Sequence, residues 1–186
     1  MKKQLFAAVV GAALALPLFA QAQSSYVGVN AGRSELKLSG DLGSGKEDKT
    51  GYKAYAGYNF TQNFGLEAGY ANFGKLKDRD AGTAVSMETS AFYLAGTATM
   101  PINPQFSAFA KAGVTQNRTK ATVSGFGLRF SGKEDKTAAM FGIGAAYHVN
   151  QNVSVVAEYE NFGKTYSENG AKLKASMLSA GVRYQF

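Results

Sequence analysis

The stretch Leu178-Ser179-Ala180-Gly181-Val182-Arg183-Tyr184-Gln185-Phe186 decides the fold. Apolar side chains occupy every second position from Leu178 to Phe186, and small or polar side chains occupy the positions between them. Such an alternation of period two is typical of a β-strand with one apolar and one polar face. The sequence therefore predicts that this segment is a strand lying between an apolar and a polar environment.

The same alternation recurs along the chain and predicts eight strands in all. In the second segment, for example, Tyr52, Ala54 and Ala56 alternate with Gly51, Lys53 and Tyr55. Aromatic residues are frequent and Pro is rare, which favours strands, and the frequent Gly residues allow close strand packing and bends. The predicted strands cover about 26–36, 50–60, 64–74, 85–100, 106–122, 137–149 and 153–163, and the eighth starts near Ala171.

The connections between these strands alternate in length. Short uncharged turns at 61–63, 101–105 and 150–152 alternate with longer polar segments at 39–49, 75–84, 123–136 and 164–170. Short turns at one end and long loops at the other are typical of transmembrane β-barrels, whose short turns face the periplasm.

The polar faces carry charges, whereas the apolar faces are nearly free of them through mid-strand. Lys53, Glu67, Lys111, Glu158 and Arg183 all have the polar parity. A sheet with lipid outside and polar groups inside must be closed. Lipid offers no hydrogen-bond partner to the backbone, so only a closed sheet pairs every backbone group. The sequence predicts an all-β fold, an eight-stranded antiparallel up-and-down transmembrane β-barrel. The alternative is a soluble eight-stranded barrel with its apolar face turned inward around a ligand.

The amino terminus has the pattern of a cleaved secretory signal. Two lysines precede an apolar stretch from Leu5 to Phe19, and Ala20-Gln21-Ala22 supplies a small-residue cleavage site. Residues 1–22 are therefore predicted to be a cleaved signal peptide, and residues 23–186 an outer-membrane β-barrel domain. Cleavage lowers the formal net charge from +7 to +5, since it removes two lysines and no acid. With no Cys in the chain, disulfides and thiolate metal sites are excluded.

An internal repeat relates the two halves of the chain. The sequence Ser-Gly-Lys-Glu-Asp-Lys-Thr occurs at 44–50 and again at 131–137. The pattern Tyr-x-Asn-Phe-Gly-Lys follows at 70–75 and at 159–164. The spacing between copies differs by two residues, which preserves strand parity. Strands two and three are therefore expected to correspond to strands six and seven.

Three segments resemble small outer-membrane β-barrel proteins, the family that includes the OmpA transmembrane domain and OmpX-like proteins. They are 56–70, 155–163 and the terminal strand, in which the resemblance assigns an assembly signal to Tyr184 and Phe186. The resemblance implies location in the bacterial outer membrane. It also implies a role as an envelope structural protein, adhesin, resistance factor or narrow ion pore. The peptidoglycan-binding domain of full-length OmpA is not expected, because this sequence ends with the last strand.

Four charged residues are predicted to form a network in the lumen: Glu67, Lys111, Glu158 and Arg183. An eight-stranded barrel is only wide enough for its side chains to fill, so charges inside should pair. One reading is an ion gate, in which the salt bridges rearrange as in OmpA-like barrels. The other is a static polar plug that supports the fold.

The only His, His148, is expected opposite Ser154, with Glu158 on the same face. A His, Ser and acid grouping resembles outer-membrane lipid A deacylases. However, Glu158 lies two inward positions beyond Ser154, and the trio is near the short turns, away from the outer leaflet. No enzyme activity and no catalytic residue are therefore expected, and His148 is predicted to hydrogen bond to water or amides at the rim.

Basic residues are concentrated at the long-loop end of the predicted barrel, where lipopolysaccharide phosphates would lie. Ordinary solvated loops are the other interpretation. Nucleic-acid binding is not expected, since the charge forms no basic stripe. Asp41, Glu47 and Asp48 match no Ca²⁺-binding loop, so no metal is predicted. The basic residues are Lys75, Lys77, Arg79, Arg118, Lys120, Arg129, Lys164, Lys172 and Lys174.

Taken together, the sequence predicts an integral outer-membrane β-barrel protein with a structural, envelope-integrity or surface-interaction role. The alternative is a narrow ion or small-solute channel, and a lipid A-modifying enzyme is a remote alternative. A monomer without cofactors is expected, surrounded by outer-membrane lipid and lipopolysaccharide and inserted by the outer-membrane assembly machinery. The identity of any extracellular loop ligand is left open.

Overall fold

The computed structural model describes residues 24–40, 43–80, 83–125, 128–168 and 171–186. Eight strands pair in chain order, each antiparallel to its neighbours, and β1 pairs with β8 to close the barrel. This confirms the predicted fold class. The predicted signal peptide lies outside the described residues. The strands are β1 Ser24–Gly40, β2 Gly43–Asn59, β3 Phe64–Asp80, β4 Thr83–Pro101, β5 Phe106–Gly125, β6 Leu128–His148, β7 Val153–Glu168 and β8 Ala171–Gln185.

No helix among the described residues is long and apolar enough to cross a bilayer.

The strands are longer than the alternation predicts. The three short turns are confirmed, but most of the four predicted long loops is strand: the β5–β6 ladder, for example, continues to Gly125–Leu128. The prediction was wrong because it followed apolar periodicity. Backbone pairing needs no apolar side chains, so the ladders continue where the outward positions become polar.

Large apolar side chains cover the outer surface. Val29, Ile143 and Leu178 are 62%, 64% and 61% exposed, and each occupies one of the alternate positions predicted to face lipid. The positions between them point inward and are buried, as for Lys53 and Glu67. The soluble barrel with an apolar interior is therefore wrong for this chain.

The repeated Tyr-x-Asn-Phe-Gly-Lys pattern forms two equivalent bulges, one on β3 and one on β7. The Gly74 amide donates to Asn72 Oδ1, and the Gly163 amide donates to Asn161 Oδ1, each over 2.9 Å. Both glycines have positive φ, +87° and +67°. That backbone conformation favours Gly, and each Asn side chain supports it through an Asx turn. The ladders shift register at both points.

Beyond the bulges the barrel wall opens along two seams. Among the described residues, the β2–β3 ladder ends at Tyr52–Asn72 and the β6–β7 ladder ends at Phe141–Asn161. The other six ladders continue outward, so two four-stranded halves, β7-β8-β1-β2 and β3-β4-β5-β6, project outward without a ladder between them in the described residues. The repeated segments 44–50 and 131–137 lie on the seam strands β2 and β6. The expected correspondence between the two halves is confirmed.

Candidate functional site in the barrel lumen

Two lysines and three glutamates form a buried ion network across the middle of the lumen. Lys111 Nζ on β5 lies 2.7 Å from Glu67 Oε1, 2.6 Å from Glu158 Oε2 and 3.2 Å from Glu160 Oε1. Lys53 Nζ on β2 lies 2.5 Å from Glu158 Oε1 and 2.7 Å from Glu160 Oε2. The side chains of all five residues are 0% exposed. Four strands thus bring five charges into direct contact.

Arg183 on β8 belongs to this layer but is held mainly by aromatic rings. Its guanidinium carbon lies 4.5 Å from the centre of the Tyr26 ring and 5.0 Å from that of Phe109. The distance from Nη2 to Glu67 Oε2 is 3.8 Å, longer than a hydrogen bond. Arg183 therefore compensates the charge of Glu67 from a position stabilised by cation–π contacts.

Neutral groups complete the shell around the carboxylates. Tyr93 and Tyr26 donate their hydroxyls to Glu67 over 2.7 and 3.0 Å. The Asn30 amide donates to Glu158 Oε1 over 2.5 Å. An unpaired charge in a water-poor interior costs free energy. These donors, and the equal number of cations and carboxylates, therefore stabilise the buried ion network.

Glycines make room for the inward aromatic rings. Tyr26 is the cross-strand partner of Gly57, and Tyr55 is the partner of Gly28. A Cβ atom at Gly57 would lie 2.1 Å from the Tyr26 ring, so only Gly fits beneath it. This explains why the polar faces alternate Gly with aromatic and charged residues.

An apolar layer lies next to the ion network, toward the bulges. The rings of Phe73 and Phe162 meet edge to face at 4.9 Å, and both residues are fully buried together with Met140 and Met177. Ser34 donates to the carbonyl of Phe73 over 2.7 Å, and Asn117 donates to that of Phe162 over 3.0 Å. The two repeats thus place their phenylalanines against each other across the lumen.

The structure brings together the four residues predicted for the lumen and adds two. Glu67, Lys111 and Glu158 are in direct contact, and Arg183 is adjacent. Lys53 was placed on the polar face from the sequence but not assigned to the network. Glu160 was missed, although it has the same parity as Glu158, because it lies near the predicted outer end of its strand.

His148 lies at the short-turn rim, opposite Ser154 as predicted. One ring nitrogen is 2.8 Å from Ser154 Oγ and the other is 3.1 Å from Ser107 Oγ. Its partners are therefore hydroxyl groups of neighbouring strands, not the water or amides expected. Glu158 is bound to Lys53 and Lys111 instead.

The predicted assembly residues lie at the same end of the barrel. Tyr184 and Phe186 face outward with ring centres 5.1 Å apart, and Phe186 is 70% exposed. The Phe186 amide donates to the Ser25 carbonyl over 2.9 Å, which ties the end of β8 to β1. The assembly role itself stays a prediction. Asp41, of the acidic group for which no metal was predicted, lies outside the described residues.

A closed eight-stranded antiparallel barrel with an apolar outer face and a polar, filled lumen defines the class of small outer-membrane β-barrel proteins. Residues 20–186 match the OmpA-like transmembrane domain family. The chain belongs to this family, and its place is the bacterial outer membrane, among lipid and lipopolysaccharide. The resemblance read from the sequence is confirmed.

Curated relatives are longer than this chain. Outer membrane protein A of Serratia marcescens is 25% identical over 176 residues, covering 87% of this chain and 49% of the relative. Outer membrane protein A of Yersinia pseudotuberculosis is 26% identical and covers 100% of this chain and 56% of the relative. The chain thus spans about half the length of the curated relatives it matches.

Two solved structures share the fold. Ail, the attachment invasion locus protein of Yersinia pestis, solved in complex with a heparin analogue, superposes with a TM-score of 0.61 at 20% identity. Neisserial surface protein A superposes with a TM-score of 0.59 at 22% identity. Each comparison covers 89% of this chain and 100% of the other.

Proposed function

We propose that this protein is a structural barrel that supports the integrity of the outer membrane and keeps its lumen closed to ions. The observation that carries the proposal is the filled interior. Three cations and three carboxylates compensate one another there, and Phe73 packs on Phe162 beside them. A narrow channel would need a continuous wet path past both layers.

Planar-bilayer recordings of the refolded full chain test the closed lumen. We expect no discrete conductance steps from the wild type, because opening would separate ion pairs in a low-dielectric interior. A stable conductance that changes in the Lys111→Gln variant would favour the alternative, an ion channel gated by the network.

A deletion strain tests the envelope role. We expect increased sensitivity to detergent and bile salt, and full rescue by wild-type protein. The Phe73→Leu variant, which keeps an apolar side chain beside Phe162, should rescue equally. A deletion strain with an intact permeability barrier would contradict the proposal.

A surface-interaction role belongs to the same proposal. The two projecting halves carry polar and charged side chains beyond the apolar band, such as Arg33 paired with Asp48 and Arg118 with Asp135.

We do not propose catalysis. In a catalytic triad an acid orients the His, whereas both ring nitrogens of His148 lie beside serine hydroxyls. Insertion by the outer-membrane assembly machinery through Tyr184 and Phe186 is proposed as in the family.

A further inference from the structure

A cluster of hydrogen-bonding side chains lines the inner face of the barrel at its short-turn end. Arg183 on β8 is the cross-strand partner of Ser154 on β7, and Ser154 is the partner of His148 on β6. Directly opposite residues share a face of the sheet. Ser107 on β5 belongs to the same group, because its Oγ lies 3.1 Å from His148 Nε2, whereas Ser154 Oγ lies 2.8 Å from Nδ1. These four residues are called the mouth cluster.

The protonation state of His148 decides which hydroxyls of the mouth cluster can donate to a ligand. A neutral imidazole has one donor and one acceptor nitrogen, so one serine must donate its proton to the ring. A protonated imidazole donates from both nitrogens, so both hydroxyls accept and both O–H groups become free. Among the described residues, neither Ser107 Oγ nor Ser154 Oγ has a second partner. Protonation therefore adds a positive charge and a second free hydroxyl donor.

The mouth cluster lies in a part of the lumen without carboxylates. On the short-turn side of the ion network, the inward positions of the described strands carry no Asp or Glu. Lys111 on β5 and Glu158 on β7 are the inward charges of the neighbouring strands, and they bind each other over 2.6 Å. Arg183 adds a cation, and its Nε has no hydrogen-bond partner in the part of the chain that the structure describes. A cationic donor beside free hydroxyls favours an anion.

The mouth cluster is accessible from the periplasmic side. The five members of the ion network are 0% exposed, whereas the Arg183 side chain is 13% exposed and His148 is half-buried. Because the network blocks the outer side, the exposed surface of these residues faces the short turns, which lie in the periplasm. The turns at 61–63, 101–105 and 150–152 contain no charged residue that would repel an anion. An eight-stranded barrel leaves room there only for a small ligand.

We propose that the mouth cluster binds a small inorganic oxyanion of the sulfate and phosphate class, together with a proton on His148. The oxyanion has several acceptor oxygens and accepts the hydroxyl donors that protonation frees, while Arg183 and the imidazolium compensate its charge. Binding and protonation favour each other, so affinity falls as the pH rises through the range in which His loses its proton. The site is separate from the closed lumen, because the ion network lies between it and the outer end.

NMR of the full chain refolded in phosphatidylcholine nanodiscs provides the test, since His148 is the only His and its ring signals report on this site alone. Sulfate is the probe, because it keeps its double negative charge near neutral pH and any pH dependence then belongs to the protein. We expect saturable shifts at pH 5.5 and binding about tenfold weaker at pH 8, since a hydrogen bond to a charged group is lost. Reciprocally, sulfate should raise the pH at which His148 titrates.

Serine variants locate the binding site. The Ser107→Ala/Ser154→Ala variant removes both hydroxyls and should bind sulfate about tenfold more weakly at pH 5.5. Ser24→Ala is the matched control, because Ser24 Oγ lies at the same end of the barrel and accepts from Gln185 over 3.0 Å. The control should keep the wild-type affinity. In the His148→Gln variant, followed by sulfate-dependent shifts of the backbone amides, the affinity should no longer depend on pH.

Three results would overturn the site: sulfate shifts no larger than those of chloride at equal ionic strength, equal affinity at the two pH values, or an equal loss in Ser24→Ala. Heat-modified migration on gels confirms that each variant is folded. The wild-type titration decides the first two outcomes even if the double serine variant does not fold. A barrel that binds sulfate at its mouth but conducts ions would refute the proposed closed lumen alone.

Discussion

Lys111 illustrates how the barrel holds a cation away from water. Its ammonium contacts three carboxylates, and the Phe109 ring centre lies 5.5 Å away. Removing one partner of a buried ion network leaves an uncompensated charge, which costs more than the network contributes as a whole. The stability of the lumen therefore depends on charge balance more than on any single salt bridge.

The Lys111→Met variant tests this dependence. We expect it to lower the free energy of unfolding by about 3–5 kcal/mol, because three glutamates would then share two cations. Adding Glu67→Gln to the same variant restores neutrality and should recover part of the loss. Denaturant unfolding in lipid vesicles measures both. A loss below about 1 kcal/mol in the single variant would mean that water screens the lumen.

The bulges on β3 and β7 are the elements that shape the outer half of the barrel. Each bulge ends one ladder, turns a Phe into the lumen and needs a Gly in the left-handed region. The short sequence Asn-Phe-Gly thus determines both where the seam begins and which phenylalanines form the apolar layer. The two bulges are equivalent because the repeat places the same residues at the same position of the fold in both halves.

The Gly163→Ala variant tests the bulge. The added Cβ would lie 2.6 Å from the Ala139 carbonyl and would occupy positive φ, so we expect a cost of at least about 1–2 kcal/mol. Gly96→Ala is the matched control, because its Cβ would meet only the Ala112 carbonyl at 3.8 Å. Denaturant midpoints compare the two. Equal midpoints would show that the bulge tolerates a side chain.

At the scale of the whole molecule, the seams divide the barrel into a closed base and two projecting halves. The base holds the ion network and is hydrogen bonded all round. In the part of the chain that the structure describes, the halves keep three ladders each, and no β2–β3 or β6–β7 ladder joins them. Backbone amides of the described residues that face a seam have no ladder partner, so local opening should begin there.

Hydrogen exchange on the barrel in nanodiscs tests this division. Along residues 43–51 of β2, amides directed toward β3 should exchange faster than the alternate amides paired with β1. The same contrast is expected on β6 at residues numbered below 141. There, amides directed toward β7 should exchange faster than amides paired with β5. The paired amides of the same strands are the internal control. Uniform protection of both sets would mean that the seams close in the membrane.

The sequence by itself determined the number of strands, their parity and the face that each side chain occupies. These properties are local, because apolar and polar residues alternate within every segment and the environment on each side of the sheet selects the residue type. It therefore predicted that Glu67, Lys111, Glu158 and Arg183 are inside. It mispredicted the long loops, because strand pairing continues after apolar alternation ends.

Only the tertiary structure decided which inward and outward residues meet. The stagger between strands sets the height at which residues of different strands coincide, and no single segment encodes it. For this reason Glu160 and Lys53 joined the network unexpectedly, and Arg183 met aromatic rings more closely than it met Glu67. Closure of the barrel has the same effect, since pairing of β1 with β8 brings Lys37 and Lys174, which are 137 positions apart, onto one level.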